Sequence, residues 1–381
     1  LDTGERRTLL RGASYARYLD GYILYGQAGR LFAAPFDLSR LELTGPAVPV
    51  LDDVRMDLAA TGRVFVDVAA SGSLVYVPGS IRPGDRTLVW IDRRGNATPA
   101  LAEKRPYRAA RLSPNGQMLT TTIEGPPTSL WSYDLTRGAW KRLTFEGNIS
   151  TPAWTPDGAH VLYSHGEPSG HPVLFWIASD GSGKPERRTP ASMEGGDMPT
   201  VTPDGRVALI AVQGSSGDDI FALSLDQRRT VEPFQAKAAN ETSPAVSPSG
   251  RYVAFTSTES GRYEVYIRPF SGPARTWAVS TGGGASPRWR KDERELFYLA
   301  GTRMMAVAVS AKGDELSIGT PQVLFEESAL TWSGADLFRY DVTADGQRFI
   351  TVKPEPREEA PLQLVVVPQF AREMRARLAR R

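Results

Sequence analysis

The sequence predicts an all-β propeller of four-stranded antiparallel blades, on three observations. A Ser/Thr-Pro-Asp/Asn/Ser-Gly turn recurs between short apolar runs along the whole chain. Two further strand-like runs follow each turn before the next one begins. Helical periodicity is absent until the last dozen residues.

The turn is clearest at Thr155-Pro156-Asp157-Gly158, between Pro152-Ala153-Trp154 and Val161-Leu162-Tyr163. It returns at Ser113–Gly116, Thr202–Gly205 and Ser247–Gly250, and in weaker form around Gly21, Gly72, Glu293 and Gly346. Successive copies lie between 42 and 53 residues apart, the period of a four-stranded propeller blade. Each residue type has a use. Proline presets the first corner, Asp or Asn caps the turn through its side chain, and glycine takes the positive φ that follows. Glu293 stands where the other copies have glycine, so that turn must be strained or of another type.

After each turn the pattern continues outward. Tyr252–Phe255 is followed by Tyr263–Ile267 and then Thr276–Val279. The inner runs are almost continuously apolar, as for strands covered on both faces by neighbouring sheets. The outer runs carry Arg, Lys and Thr, which suits exposed edges. The last copy supplies three runs, around 338–342, 347–352 and 362–367, and Glu5–Leu10 is an orphan run at the other end. Pairing the orphan with the last three would close the ring and remove two open edges. Eight turns with this closure give eight blades over residues 1–368, or seven if the divergent first or last copy folds differently. Residues 369–381 are then a basic tail or short helix, with Phe370, Met374 and Leu378 on one stripe that could meet an anionic surface, a partner or the propeller rim.

Composition narrows the function. Among 381 residues, 45 Lys and Arg face 43 Asp and Glu, a formal charge of +2, so no field favours nucleic acid. The absence of Cys excludes disulfides, thiolate catalysis and Cys-ligated metal. No apolar run approaches the ~20 residues of a membrane-spanning helix. The N-terminus has neither Met nor a signal-peptide core, and reads as that of a fragment or mature portion.

The repeat resembles the TolB-type, WD-like propeller repeat, whose signature is the Ser-Pro-Asp-Gly turn. A narrower likeness lies in the flanks. Arg30-Leu31-Phe32-Ala33-Ala34-Pro35-Phe36-Asp37, Leu88-Val89-Trp90-Ile91-Asp92-Arg93 and Val265-Tyr266-Ile267-Arg268-Pro269-Phe270 resemble the propeller region of bacterial Ser/Thr protein kinases. That resemblance implies an extracytoplasmic or periplasmic sensor-like portion of a longer chain. The kinase itself is not here, because the Gly-rich loop, His-Arg-Asp and Asp-Phe-Gly motifs are missing.

Candidate chemistry is sparse. A serine hydrolase would need a Gly-x-Ser-x-Gly elbow on alternating strands and helices, and neither occurs. His160, His165 and His171 match no metal-ligand spacing. Asp52-Asp53 and Asp218-Asp219 lack the alternating ligands of a calcium loop. Gly282-Gly283-Gly284 has no following helix to hold phosphate. The expectation is therefore no catalytic residue, metal or cofactor, and a monomeric module that binds a protein, peptide or small ligand at its channel mouth. The loops entering each innermost strand supply the candidate binding residues: Arg105, Tyr107, Asn148, Asp197, Asn240, Glu241 and Trp332. The alternatives are a stand-alone periplasmic TolB-like scaffold, and a propeller enzyme of lyase or glycosidase type, which would place paired carboxylates in the channel.

Overall fold

The computed structural model describes residues 8–10, 13–27, 29–56, 63–79, 85–125, 127–145, 147–167, 171–193, 195–214, 217–273, 275–313, 315–330, 340–355 and 363–378. Their strands form eight sheets, all with antiparallel pairing. The sheets fall into two compact units, one of residues 84–355 and one of residues 1–83 with 356–381.

Every one of the eight turns behaves as its residue types require. Gly21, Gly72, Gly116, Gly158, Gly205, Gly250 and Gly346 have φ between 67° and 87°, and Glu293 has φ 60°. The turn at Glu293 is thus the same turn, held by a residue with a Cβ. Its closing bond, Glu293 N–H to the Arg290 carbonyl at 2.9 Å, matches Gly158 N–H to the Thr155 carbonyl at 2.9 Å.

Unit 84–355 contains six blades. Five are consecutive, and their innermost strands are Tyr107–Leu112, Ile149–Trp154, Asp197–Val201, Glu241–Val246 and Ala285–Trp289. The sixth is composite: Tyr340–Val342 and Arg348–Pro354 supply its inner strands, and Arg86–Asp92 and Ala97–Pro99 its outer ones. The join runs over seven residue pairs, from Arg348 opposite Asp92 to Pro354 opposite Arg86. This differs from the expected closure through Glu5–Leu10. Residues 5–7 lie outside the described ones, and Thr8–Leu10 form no strand. The apolar run Leu88–Ile91 meets an equally apolar Phe349–Val352, which the short orphan run could not match.

Among the described residues, six apolar clusters lie between neighbouring blades. Leu130 and Leu143 of the first blade pack with Val161 and Tyr163 of the second. At the join, Leu88, Ile350 and Val352 of the sixth pack against Tyr107, Ala110 and Leu119 of the first. A blade therefore buries both faces in its neighbours, which explains inner runs with no polar alternation.

Unit 1–83 with 356–381 holds the other two sheets. Ser14–Leu19, Tyr22–Gln27, Arg30–Asp37, Glu42–Leu43 and Val48–Leu51 make one; Val66–Val68, Leu74–Tyr76 and Val365–Val367 make the other. The eight turns thus divide as six and two, with the units meeting along the chain near residues 83 and 355. The tail is a helix, Phe370–Leu378. Phe370 and Met374 are buried in this unit's core with Leu24, Leu31 and Met56, and Leu378 packs against it. Burial of each large side chain is worth roughly 1.5–3 kcal/mol, so the stripe belongs to the core and is not free for a partner.

Candidate functional site

The last residue of each inner strand in unit 84–355 is Leu112, Trp154, Val201, Val246, Trp289 or Val342. All six line one cavity of about 760 Å³. One equivalent position from every blade puts the cavity on the propeller axis, at the end where the chain turns into the second strands. That volume falls within the range of small-ligand and peptide pockets, roughly 300–1,000 Å³.

Three local devices shape it. The first is the turn itself. The Thr155 hydroxyl donates to the Asp157 carboxylate at 2.6 Å and accepts from His160 N–H at 2.9 Å, while Asp157 accepts from Ala159 N–H at 2.9 Å. Thr202 with Asp204 and Thr343 with Asp345 repeat the arrangement. These hydrogen bonds, the threonine hydroxyl's foremost, hold all three carboxyls below the ordinary range. The motif's hydroxyls and carboxylates are therefore engaged in their own turns.

The second device is a proline inside the inner strand. Pro152, Pro199, Pro244 and Pro287 occupy equivalent places, and the ladder shifts register at each. Proline donates no hydrogen bond, so it is tolerated at a strand edge where a bulge breaks the ladder and re-aims the following side chains. Met198, Ser243 and Ser286 precede three of these prolines with φ of 51°, 53° and 55°. The third device is a pair of tryptophans that tie blades together. The Trp289 indole N–H donates to the Ala245 carbonyl at 2.9 Å, and that of Trp154 to the Arg111 carbonyl at 3.3 Å.

The cavity's charge is one-sided. Arg111, Arg288, Lys291 and Arg348 line it, against a single carboxylate, Asp341. Arg111 is buried, and its Nη1 donates to the carbonyls of Ala110 at 3.0 Å and Tyr340 at 2.8 Å. Asp341 accepts from the backbone N–H of Leu112 and of Val342, each at 2.9 Å, and its Oδ1 lies 3.9 Å from Arg288 Nε. Burial, then the charge of Arg288, pulls the Arg111 guanidinium down to about 9; burial also lowers Arg288. Both remain cationic at neutral pH.

The residues expected from sequence lie elsewhere. None of Arg105, Tyr107, Asn148, Asp197, Asn240 or Glu241 lines this cavity; they sit where the chain enters the inner strands, at the opposite end. Trp332 lies outside the described residues. The Arg105 guanidinium lies over the Trp140 and Trp131 rings, 5.0 and 5.5 Å from their centres. Tyr107 is fully buried, and burial pushes its hydroxyl up to about 12. The carbonyl of Asn148 accepts from Gly166 N–H at 2.9 Å.

Asp197 and Asn240 do come together around Asp218, and Glu241 lies near Asp219. Asp197 is half-buried, and its Oδ1 accepts from Ser164 at 2.6 Å, Met198 N–H at 2.8 Å and Ser150 at 3.0 Å. Asn240 Oδ1 accepts from Asp218 N–H at 2.6 Å. Burial raises the carboxyls of Asp197, Asp218 and Glu241, and the Asp197 charge raises Asp218 further. This pair of half-buried carboxylates is what an enzymatic reading would start from, yet Asp197 Oδ1 already accepts from donors on three segments. Among the described residues, no three His, Asp or Glu side chains are grouped to hold a metal. His160 stacks on Trp176 with ring centres 4.3 Å apart, and His165 lies 3.6 Å from Glu167.

Comparison with known proteins gives a consistent fold. No family model matches the chain. A TolB homologue of Chlorobaculum tepidum is 29% identical over 108 residues, 28% of this chain and 23% of that protein. The Tol-Pal system protein TolB of Nitratidesulfovibrio vulgaris is 27% identical over 121 residues, 32% of this chain and 26% of that protein. The matched segments thus span about a quarter of these curated relatives. Among solved structures, a TolB from Agrobacterium tumefaciens superposes with a TM-score of 0.58 at 16% identity, covering 72% of this chain and 99% of that one. The chain has a TolB-like β-propeller fold. No helix among the described residues is long and apolar enough to cross a membrane.

Proposed function

We propose that this chain is a non-catalytic recognition module that holds a protein or peptide partner at the axial cavity of unit 84–355. The observation that carries the reading is the cavity itself, lined by the terminal inner-strand residue of all six blades. Its walls combine three tryptophans, Trp90, Trp154 and Trp289, the turn prolines Pro114, Pro156, Pro203 and Pro248, and fixed cations, the mixture of aromatic and arginine side chains that characterises interaction surfaces. The motif hydroxyls and carboxylates are committed to their own turns.

The likeness to TolB proteins supports a periplasmic scaffold, and the flanking Arg30–Asp37 and Leu88–Arg93 motifs support the sensor portion of a bacterial Ser/Thr kinase. Both placements use the same cavity. The gene sequence upstream of the Leu1 codon separates them: a membrane span and kinase motifs in one case, a secretion signal in the other.

Photo-cross-linking in the source cells tests the reading itself. A cross-linker at Val246, in the cavity wall, is expected to trap a discrete partner that one at exposed Glu232, on an outer strand, does not. Equal labelling from both positions, or substrate turnover by the purified chain, would overturn it.

A further inference from the structure

The charge census of the cavity points beyond a generic binding surface. The whole chain carries a formal charge of only +2, yet this one cavity gathers four cationic side chains and one carboxylate. That carboxylate accepts from two backbone N–H groups, those of Leu112 and Val342, and also pairs at 3.9 Å with Arg288, so it offsets only one of the four cations. The turn carboxylates nearest the rim, Asp157, Asp204 and Asp345, are not part of the lining and accept hydrogen bonds from their own turns. The cations differ in setting. Arg111 is buried and Arg288 half-buried, on the first and fifth inner strands, and the Arg111 guanidinium is pinned by two carbonyls. Lys291 and Arg348 are nearer the turns, and Arg348 lies over the Trp90 ring, 4.7 Å from its centre.

We propose that the cavity selects an acidic peptide segment, seating an Asp or Glu carboxylate of the partner against Arg111 and Arg288, with neighbouring apolar side chains on Trp154 and Trp289. This rests on the reading of the cavity as the binding site. A guanidinium already fixed by the protein loses little further freedom on binding, and its planar fork suits a carboxylate. Away from bulk water the attraction is screened less than on an open surface. The volume favours a peptide over a lone small anion: about 760 Å³ holds several side chains, and the aromatic and proline walls offer nothing to a bare carboxylate. Proteins with a basic patch for nucleic acid carry strong net charge and extended stripes; here the cations are confined to one concave site.

The test is a selection of random decapeptides displayed on phage against the full chain, in parallel with Arg288→Gln and Arg288→Lys variants. Peptides enriched on the native chain are expected to carry Asp or Glu at one fixed place beside an apolar residue. Synthetic versions with that acid changed to its amide should bind roughly tenfold or more weakly, as the loss of a charge-assisted contact predicts. Arg288→Gln should abolish the difference between acid and amide, and Arg288→Lys should retain part of it. Tryptophan fluorescence of Trp154 and Trp289 reports occupancy, and thermal melts check that each variant is folded. If Arg288→Gln does not fold, Lys291→Gln and Arg348→Gln at the rim take its place, with a smaller but same-signed loss expected.

Enrichment of peptides lacking acids, displaced together with the cavity cross-link, would overturn the acidic preference and leave the cavity as the binding site. Failure of any peptide to compete with the cavity cross-link would overturn both. Glutarate binding to Arg288 as tightly as the best peptide would make this a small-molecule site and sink the proposal.

Discussion

Replacing Gly158 by Ala isolates what the repeated turn demands of its fourth residue. Gly158 has φ 70° and an added Cβ would meet no atom within 4 Å, so no packing clash contributes. What remains is the conformational penalty of a left-handed residue with a side chain, about 1–2 kcal/mol, offset by the smaller unfolded-state freedom of Ala, about 0.4–1 kcal/mol. The expected net loss is about 1 kcal/mol, or a fall in Tm of about 2 °C for a domain this large. Glu293→Gly is the mirror experiment. It relieves the same penalty at φ 60° but adds backbone freedom and removes the carboxylate that accepts from Ser249 N–H on the neighbouring blade. These terms nearly cancel, leaving a change within about 0.5 kcal/mol. Urea titrations at two protein concentrations, with Gly158→Ala and Glu293→Gly beside the native chain, give both numbers. A stabilised Gly158→Ala would mean that the turn tolerates any residue, and the explanation of the repeat would be wrong.

Three further outcomes follow from the same geometry. Asp197→Asn keeps the Oδ1 acceptor for Ser150, Ser164 and Met198 N–H but removes the half-buried charge. Because folding raises the Asp197 carboxyl, native stability falls relative to the variant as pH climbs from the ordinary carboxylate range, near 4. Melts at pH 4, 5.5 and 7 should therefore show Asp197→Asn gaining on the native chain, and a trend in the other direction refutes the burial argument. Trp289→Phe leaves the Ala245 carbonyl without its 2.9 Å donor and should cost about 1–3 kcal/mol by denaturant titration. Trp154→Phe, whose bond is 3.3 Å and less buried, should cost less. Finally, residues 84–355 expressed alone should melt cooperatively, since every strand in that span pairs within it. Starting the chain at residue 100 removes the two outer strands of the sixth blade and should abolish that transition.

The local order of this chain could be read directly from its residues. Proline, a short polar residue and glycine act on their own few bonds, and seven turns take the positive φ that their glycine specifies; Glu293 takes it too, as a strained residue with a Cβ. The tail helix was equally legible, because the spacing of Phe370, Met374 and Leu378 already defines an apolar stripe. Long-range pairing was not. Arg86–Asp92 lies more than 250 residues before its partner Arg348–Pro354, and nothing in a local period says which apolar edge meets which. The six-and-two division and the closing strand were therefore decided by tertiary packing. The candidate site shows the same limit. The loops entering the inner strands mix charge, amide and aromatic groups and are legible as candidates one by one. The axial cavity at the turn end is not, because Arg111, Arg288 and Asp341 meet there from three blades. Each stands among ordinary strand residues, and only the ring brings two arginines and one aspartate together away from water, where their charges act most strongly.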